Sequence, residues 1–147
     1  MPAYSVTTGG GFPELAIKAV TWELKIVKVD IYNSENYSRW LYLYRHTGST
    51  LSGGTAVGVV PLRGGATPAT ATSMKGTMSY SGTAQFITYG GIAGDGNSTV
   101  LAITNSTVQT PLDLTIAPGQ VFKVQGMDGD GMTCTIHFEE LRLSWSY

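Results

Sequence analysis

Residues 15–32 read LAIKAVTWELKIVKVDIY, a long run of alternating apolar and polar side chains that is typical of a β-strand. This run, Leu15–Tyr32, changes phase in its second half. Its apolar side chains first occupy even positions, namely Trp22, Leu24 and Ile26, and then odd ones. A pattern of period two changes face only through an extra residue, so the sequence predicts a bulge or a strand break near Ile26–Val27.

A second strand is predicted over Ser38–His46, and both of its faces are apolar. Trp40, Tyr42 and Tyr44 lie on one face, opposite two leucines and an arginine. A strand that is apolar on both sides is normally covered on both sides, so the second face indicates a protein interface or a long covering loop. An outward aromatic face would be free to stack on sugar rings or on another subunit, whereas an inward one would belong to the core.

The rest of the chain consists of short strand-like runs between Gly, Ser, Asn and Pro. Pro61 suggests an edge position for its strand. Pro118-Gly119 predicts a type II turn, and Gly90–Ser98 predicts a loop. The last run changes phase at Glu139-Glu140. The further predicted strands are Val57–Leu62, one or two within Thr77–Tyr89, Thr99–Asn105, a run through Leu112, Leu114 and Ile116, Val121–Gln125 and Met132–Tyr147.

About eight to ten strands at regular spacing, with no amphipathic helix among them, predict an all-β protein: a jelly-roll-like β-sandwich. The Gly-rich stretch near the start predicts an extended N-terminal arm over residues 1–13, Met1–Pro13. Residues 14–147 are then a single β-sandwich domain. Deleting the arm is expected to abolish attachment to a particle while leaving the β fold intact.

Composition limits the possible functions. Charged residues are 13% of the 147, and 9 basic against 10 acidic side chains give a net charge of -1. This balance argues against nucleic acid as a partner. The longest uncharged run, Gly76–Gly94, is too polar for a membrane span, and the N-terminus lacks the features of a secretory signal. We expect a cytosolically made protein. Its weakly charged surface, rich in Thr, Ser, Gly and Ala, suits contact with a protein partner.

No residue is predicted to be catalytic, to bind a cofactor or to bind a metal. Cys134 alternates with Ile136 and Phe138, the pattern of a small buried side chain rather than a nucleophile. A mononuclear metal site would require His46 to meet His137 in space, and the simpler explanation of His137 is a hydrogen-bonded surface residue.

Two acidic motifs also have simpler explanations than chemistry. Glu139 and Glu140 point to opposite faces of a regular strand, so we interpret them as acidic residues at a strand bend or bulge. Asp128-Gly129-Asp130-Gly131 is explained by a hairpin loop. A loop calcium site completed by Asp95 or Asp113 is the alternative.

Several segments together carry a resemblance to a protein family. They are Val29-Asp30-Ile31-Tyr32-Asn33, Arg39-Trp40-Leu41-Tyr42-Leu43, Leu112-Asp113-Leu114-Thr115-Ile116-Ala117-Pro118-Gly119 and Ile136-His137-Phe138-Glu139-Glu140, with a Gly/Thr/Ser-rich middle. In this pattern the chain resembles small jelly-roll virion proteins of tailed bacteriophages, including capsid decoration (cement) proteins. The resemblance implies a non-enzymatic homotrimer, assembled in the host cytoplasm, that binds the major capsid protein lattice and stabilises the head shell.

The sequence leaves two alternative functions to consider. The first is a glycan- or receptor-binding module on a phage head or tail, which would use exposed aromatic side chains such as Trp40, Tyr42 or Tyr89. The second is an enzyme of the cupin type. A cupin requires a cluster of histidines borne on neighbouring strands, and the sequence has no His-x-His.

Overall fold

The structure is a computed structural model that describes residues 2–8, 12–64, 67–92, 94, 97–102, 114–126 and 131–142. These residues form an all-β protein with fourteen strands, nine of them at least five residues long. The strands are β1 Ala3–Thr8, β2 Glu14–Lys18, β3 Leu24–Asn33, β4 Arg39–His46, β5 Leu51–Ser52, β6 Thr55–Val57, β7 Val60–Pro61, β8 Thr72–Gly76, β9 Ser79–Tyr80, β10 Ala84–Ile92, β11 Asn97–Ala102, β12 Thr115–Ile116, β13 Val121–Gln125 and β14 Met132–Glu140. None of the described residues belongs to a helix that could span a membrane.

The strands form two antiparallel six-stranded sheets. The first sheet has the order β11-β3-β14-β1-β7, with β12 also paired to β3. The second has the order β10-β4-β13-β2-β8-β6, and β5 pairs with β9 apart from both. The pairing is nested along the chain, since β1 pairs with β14, β2 with β13, β3 with β11 and β4 with β10. The described strands therefore pair like the two arms of one long hairpin that is folded over itself.

The core lies between the two sheets, as in a β-sandwich. Side chains from β1, β3 and β14 of the first sheet pack with those of β2, β4 and β13 of the second in one apolar cluster. Along β14 every even-numbered residue from Met132 to Glu140 is buried and every odd-numbered one is half-buried. This is the alternation expected of strands with one face on a core. At one end of the core the rings of Tyr4 and Phe138 stack with centroids 5.6 Å apart.

The predicted phase change in Leu15–Tyr32 has two structural counterparts. The bulge is confirmed, because β3 pairs Lys28 with His137 and Ile26 with Phe138, which leaves Val27 as the extra residue. The prediction of one continuous strand is wrong. The run breaks at residues 19–23, and its two parts, β2 and β3, lie in different sheets. A chain that crosses from one layer of a sandwich to the other needs such a corner.

The predicted extended arm at residues 1–13 is not confirmed. Residues 3–8 form β1, which lies between β14 and β7 in the first sheet. Tyr4 and Val6 are completely buried. The alternation Tyr4-x-Val6 places two apolar side chains on the core face, and this burial outweighs the freedom given by the glycines that follow. Residues 9–11 lie outside the described part of the chain.

The bulge predicted from the phase change at Glu139-Glu140 is absent, because β14 pairs with β3 at these two residues without a register shift. Alternation continues through Glu140 and on to Arg142, and both side chains point inward as a buried ion pair. The pattern of apolar and polar residues changes phase because Glu140 and Arg142 occupy core positions at this end of the strand. The later positions of the predicted strand, 143–147, lie outside the described residues.

Several smaller predictions have clear outcomes. Pro61 lies in the edge strand β7, and Gly119 has a φ of 89° in a turn closed by a hydrogen bond from Gln120 N to Ala117 O of 2.9 Å, as a type II turn requires. Cys134 is buried, as predicted. The loop predicted over Gly90–Ser98 is shorter than expected, because β10 extends to Ile92 and β11 begins at Asn97.

Candidate binding surface

Strand β4 turns its aromatic side chains outward. Leu41 and Leu43 are buried in the core, whereas Trp40 and Tyr42 are exposed and Tyr44 is half-buried. The sequence left open whether these rings point outward or into the core, and the structure places them on the outer face of the second sheet.

Neighbouring β10 adds two more exposed rings beside them. Phe86 pairs with Tyr44 and Tyr89 pairs with Tyr42, and a register shift between Phe86 and Thr88 leaves Ile87 as an extra residue. Two residues three apart in a regular strand point to opposite faces, so this bulge is what places Phe86 and Tyr89 on the same face. The sequence pattern indicated Tyr89 as a candidate but missed Phe86, because the bulge leaves no clear change of phase in the letters.

These four side chains form what we call the aromatic surface: Trp40, Tyr42, Phe86 and Tyr89, exposed by 57%, 38%, 54% and 56%. Tyr89 is its centre. Its ring centroid lies 5.5 Å from that of Trp40, 6.3 Å from that of Tyr42 and 6.2 Å from that of Phe86. The surface is thus a continuous set of rings, not scattered apolar side chains of the kind that any protein exposes.

Gly91 helps to set the position of the Trp40 ring. It pairs with Trp40 across β4 and β10, and a Cβ atom on residue 91 would lie 3.4 Å from the nearest atom of the indole and 3.5 Å from the next two. The indole therefore lies against the backbone of β10. The ring is packed on one side, yet more than half of the side chain faces solvent.

The other half of this outer face is covered by the segment between β4 and β10. Leu51 of β5, Tyr80 of β9 and the nearby Met78 pack on a small apolar cluster of the second sheet. A covering loop, one of the two explanations that the sequence offered for the second apolar face of β4, thus applies to one end of the strand. The end near His46 is covered, and the end near Trp40 is open.

A polar cluster lies beneath this covering segment. Glu14 accepts hydrogen bonds from Lys123 Nζ at 3.1 Å and from the Tyr80 hydroxyl at 3.0 Å. Burial and the Glu14 carboxylate raise the pKa of Tyr80. The ammonium group of Lys123 lies 5.0 Å from the Tyr44 ring centroid and 4.6 Å from that of Tyr80. The charge of Lys123 is therefore neutralised below the surface and is not presented to a ligand.

The two histidines lie on opposite outer faces of the sandwich. His46 stacks on Tyr80 with centroids 4.1 Å apart, and burial, with the nearby charge of Lys123, lowers its pKa. His137 faces outward from the first sheet, where its Nε2 lies 2.9 Å from an oxygen of Asp30. The two imidazoles therefore do not meet. Among the described residues there is no group of three or more His, Cys, Asp or Glu side chains arranged to hold a metal ion.

The remaining sequence candidates are placed as follows. Glu140 is buried and Glu139 faces outward, so the two carboxylates lie on opposite faces, as expected of a regular strand. Burial of the Cys134 thiol raises its pKa, which opposes formation of the thiolate. The acidic loop around Asp128 and Asp130, together with Asp95 and Asp113, lies outside the described residues.

Comparison of the chain with protein-family models, with curated proteins and with solved structures gives no match.

Proposed function

We propose that this chain is a non-enzymatic virion structural protein: a capsid decoration (cement) protein with a jelly-roll fold that oligomerises and stabilises the shell of a phage head. The nested strand pairing supports the fold. Pairing of the first strand with the last, and of each later strand with the corresponding earlier one, rolls a long hairpin into two sheets ordered β1-β14-β3-β11 and β2-β13-β4-β10. Two sheets in this order are what we expect of a jelly roll, a fold found in many viral capsid domains.

The observation that carries the function is the outer face of the first sheet. Ser5 and Thr7 of β1 pair with His137 and Thr135 of β14, and the hydroxyls of Thr7 and Thr135 lie 2.8 Å apart. With Thr133, the short side chains Ser5, Thr7 and Thr135 define what we call the threonine face. Short hydroxyl side chains lose little conformational entropy when a partner covers them.

The charges beside the threonine face compensate one another. Lys25 pairs across the strands with Glu139, and the Asp30 carboxylate contacts both Lys28 at 3.5 Å and His137 at 2.9 Å. Docking this face on a protein lattice therefore desolvates few uncompensated charges. Repeated copies on a lattice would multiply weak contacts of this kind.

The native mass of the purified protein at micromolar concentration is the first test. We expect three chains of 15.6 kDa. The second test is co-sedimentation with phage heads stripped of their decoration protein. Thr7→Arg places a long charged side chain on the threonine face and is expected to abolish co-sedimentation.

Thr83→Arg is the matched control, because Thr83 is an exposed threonine next to β10, away from the threonine face. It should co-sediment like the unmodified chain. A monomer throughout the concentration range would contradict the homotrimer. Failure of the unmodified chain to bind heads, or equal binding by Thr7→Arg, would contradict docking through the threonine face.

A further inference from the structure

We propose that the aromatic surface is a carbohydrate-binding site for neutral hexopyranose chains. This goes beyond shell stabilisation and does not depend on it. The aromatic surface lies on the outer face of the second sheet, opposite the threonine face. A chain docked through one face would leave the other accessible.

The rings are arranged as a stacking platform. A pyranose ring presents C–H groups with partial positive charge, and these pack favourably on the electron-rich face of an aromatic ring. Trp40 lies against Gly91 with much of its indole free, and Tyr89 adjoins it at 5.5 Å. Two adjacent rings at this separation offer successive positions for linked sugars.

Hydrogen-bonding groups lie at the edge of the rings. The indole N–H and the hydroxyls of Tyr42 and Tyr89 belong to the surface itself, and Gln125 of β13 pairs directly with Tyr42 and so shares its face. These groups donate to or accept from sugar hydroxyls. The combination of apolar rings with a few polar groups is typical of small-ligand sites.

The aromatic surface carries no charged side chain, and this favours a neutral ligand. None of the four ring residues is charged, and the nearby Lys123 is already paired with Glu14. Arg45 of β4 is likewise occupied, since its guanidinium donates to Gln85 Oε1 and to the Thr115 carbonyl. Acidic sugars would find no free cation among these groups.

The size of the surface favours a glycan over a second copy of the chain. Four aromatic side chains, each about half exposed, present on the order of 400 Å². A stable protein interface buries about 800 Å² on each partner, roughly twice as much. An oligosaccharide of two or three sugars covers an area of the size available.

The test is an array of immobilised glycans that includes neutral hexose chains and sialylated ones, followed by calorimetric titration of the strongest neutral oligosaccharide. We expect neutral glycans alone to bind. Trp40→Ala should weaken binding at least about tenfold, as is common when a large aromatic side chain that contacts the ligand is removed. Tyr32→Ala is the matched control, because Tyr32 is an exposed aromatic residue of β3 in the other sheet, and it should bind like the unmodified chain.

A second pair of variants tests the position of the indole without removing it. Gly91→Ala adds a methyl group at ordinary contact distance and should retain binding, whereas the branched side chain of Gly91→Val should displace the ring and weaken binding. Absence of array binding, selective binding of sialylated glycans or equal binding by Trp40→Ala would overturn the proposal. So would a Trp40→Ala protein with a smaller native mass, because the surface would then be an interface between copies. Co-sedimentation with heads is scored separately, so each function can fail alone.

Discussion

Replacing Arg142 by methionine should remove a large part of the stability of this protein. The Arg142 guanidinium donates to Glu140 Oε1, to the Tyr4 hydroxyl at 3.1 Å and to the Pro68 carbonyl at 3.1 Å. The side chains of Arg142 and Glu140 are exposed by only 4% and 0%. Methionine fills a similar volume but leaves the carboxylate without its counter-charge.

The magnitude follows from the burial of the pair. Removing one partner of a buried ion pair costs about 3–5 kcal/mol, against about 5–15 kcal/mol for the unfolding of a whole domain. Glu140 Oε2 still accepts from Thr70 N at 2.8 Å, Thr70 Oγ1 at 2.8 Å and Ala71 N at 3.0 Å. These bonds continue to stabilise the carboxylate, so we expect a loss near the lower end, about 3 kcal/mol.

The loss should also depend on pH. Burial alone would raise the pKa of Glu140, but the hydrogen bonds from Arg142, Thr70 and Ala71 outweigh it and hold the pKa below the ordinary 4.5. The unmodified chain therefore keeps this contribution above pH 4.5 and loses it as pH falls through the folded value. Arg142 makes the largest of the contributions that lower this pKa, so without it we expect the folded pKa to rise and the stability difference from the unmodified chain to grow as pH rises through it.

Urea unfolding followed by tryptophan fluorescence at pH 7 and pH 5 measures both effects. The difference between Arg142→Met and the unmodified chain should be larger at pH 7 than at pH 5. Arg63→Met is the matched control, since Arg63 is exposed, and should change the free energy of unfolding by less than about 0.5 kcal/mol. A cost below about 1 kcal/mol for Arg142→Met, or one equal at both pH values, would refute the assignment of the pair as a buried electrostatic anchor.

Three further outcomes are expected. Deletion of residues 1–8 should leave an unfolded chain by circular dichroism, because it removes the buried Tyr4 and one of the two strands that pair with β14; a folded product would contradict the placement of β1. The Cys134 thiol should resist alkylation at pH 8 until urea unfolds the protein, because burial raises its pKa; prompt reaction of the native chain would contradict that burial. Burial and the charge of Lys123 lower the pKa of His46 in the folded protein from 6.5, so the unmodified chain should lose more stability than His46→Phe as pH falls from about 6.5 to 5. Equal losses would show that the pKa of His46 is the same in the folded and unfolded states.

Strands could be predicted from the sequence wherever two kinds of side chain alternate along the chain with a period of two. Ser38–His46, the buried Cys134 and the bulge at Val27 follow from period-two patterning alone. The crossing between the sheets at residues 19–23 could not be predicted this way. The apolar positions also change from odd to even in that corner, but a change of phase alone does not distinguish a bulge from a crossing between layers.

The polar end of the core could not be predicted because it depends on tertiary partners. Glu140 and Arg142 look like surface residues until Thr70 and Ala71, about seventy positions earlier, supply donors to the carboxylate. The extended arm predicted over residues 1–13 is not confirmed for a related reason. Its glycines are visible in the sequence, but the strand that pairs with Ala3–Thr8 is at the other end of the chain.

The two faces of β4 have different roles: the buried face stabilises the fold, and the exposed face is available for binding. Leu41 is fully buried, so Leu41→Ala should cost about 2–5 kcal/mol. Its neighbour Trp40 is more than half exposed and packs on Gly91 and the Tyr89 ring, so Trp40→Ala should cost far less, on the order of 1 kcal/mol. The bulge at Ile87 then brings Phe86 to the same side as Tyr89, although burial in the core would have stabilised either ring more. Four large aromatic side chains kept on an outer face contribute little to folding, and this is why we look for their role in binding.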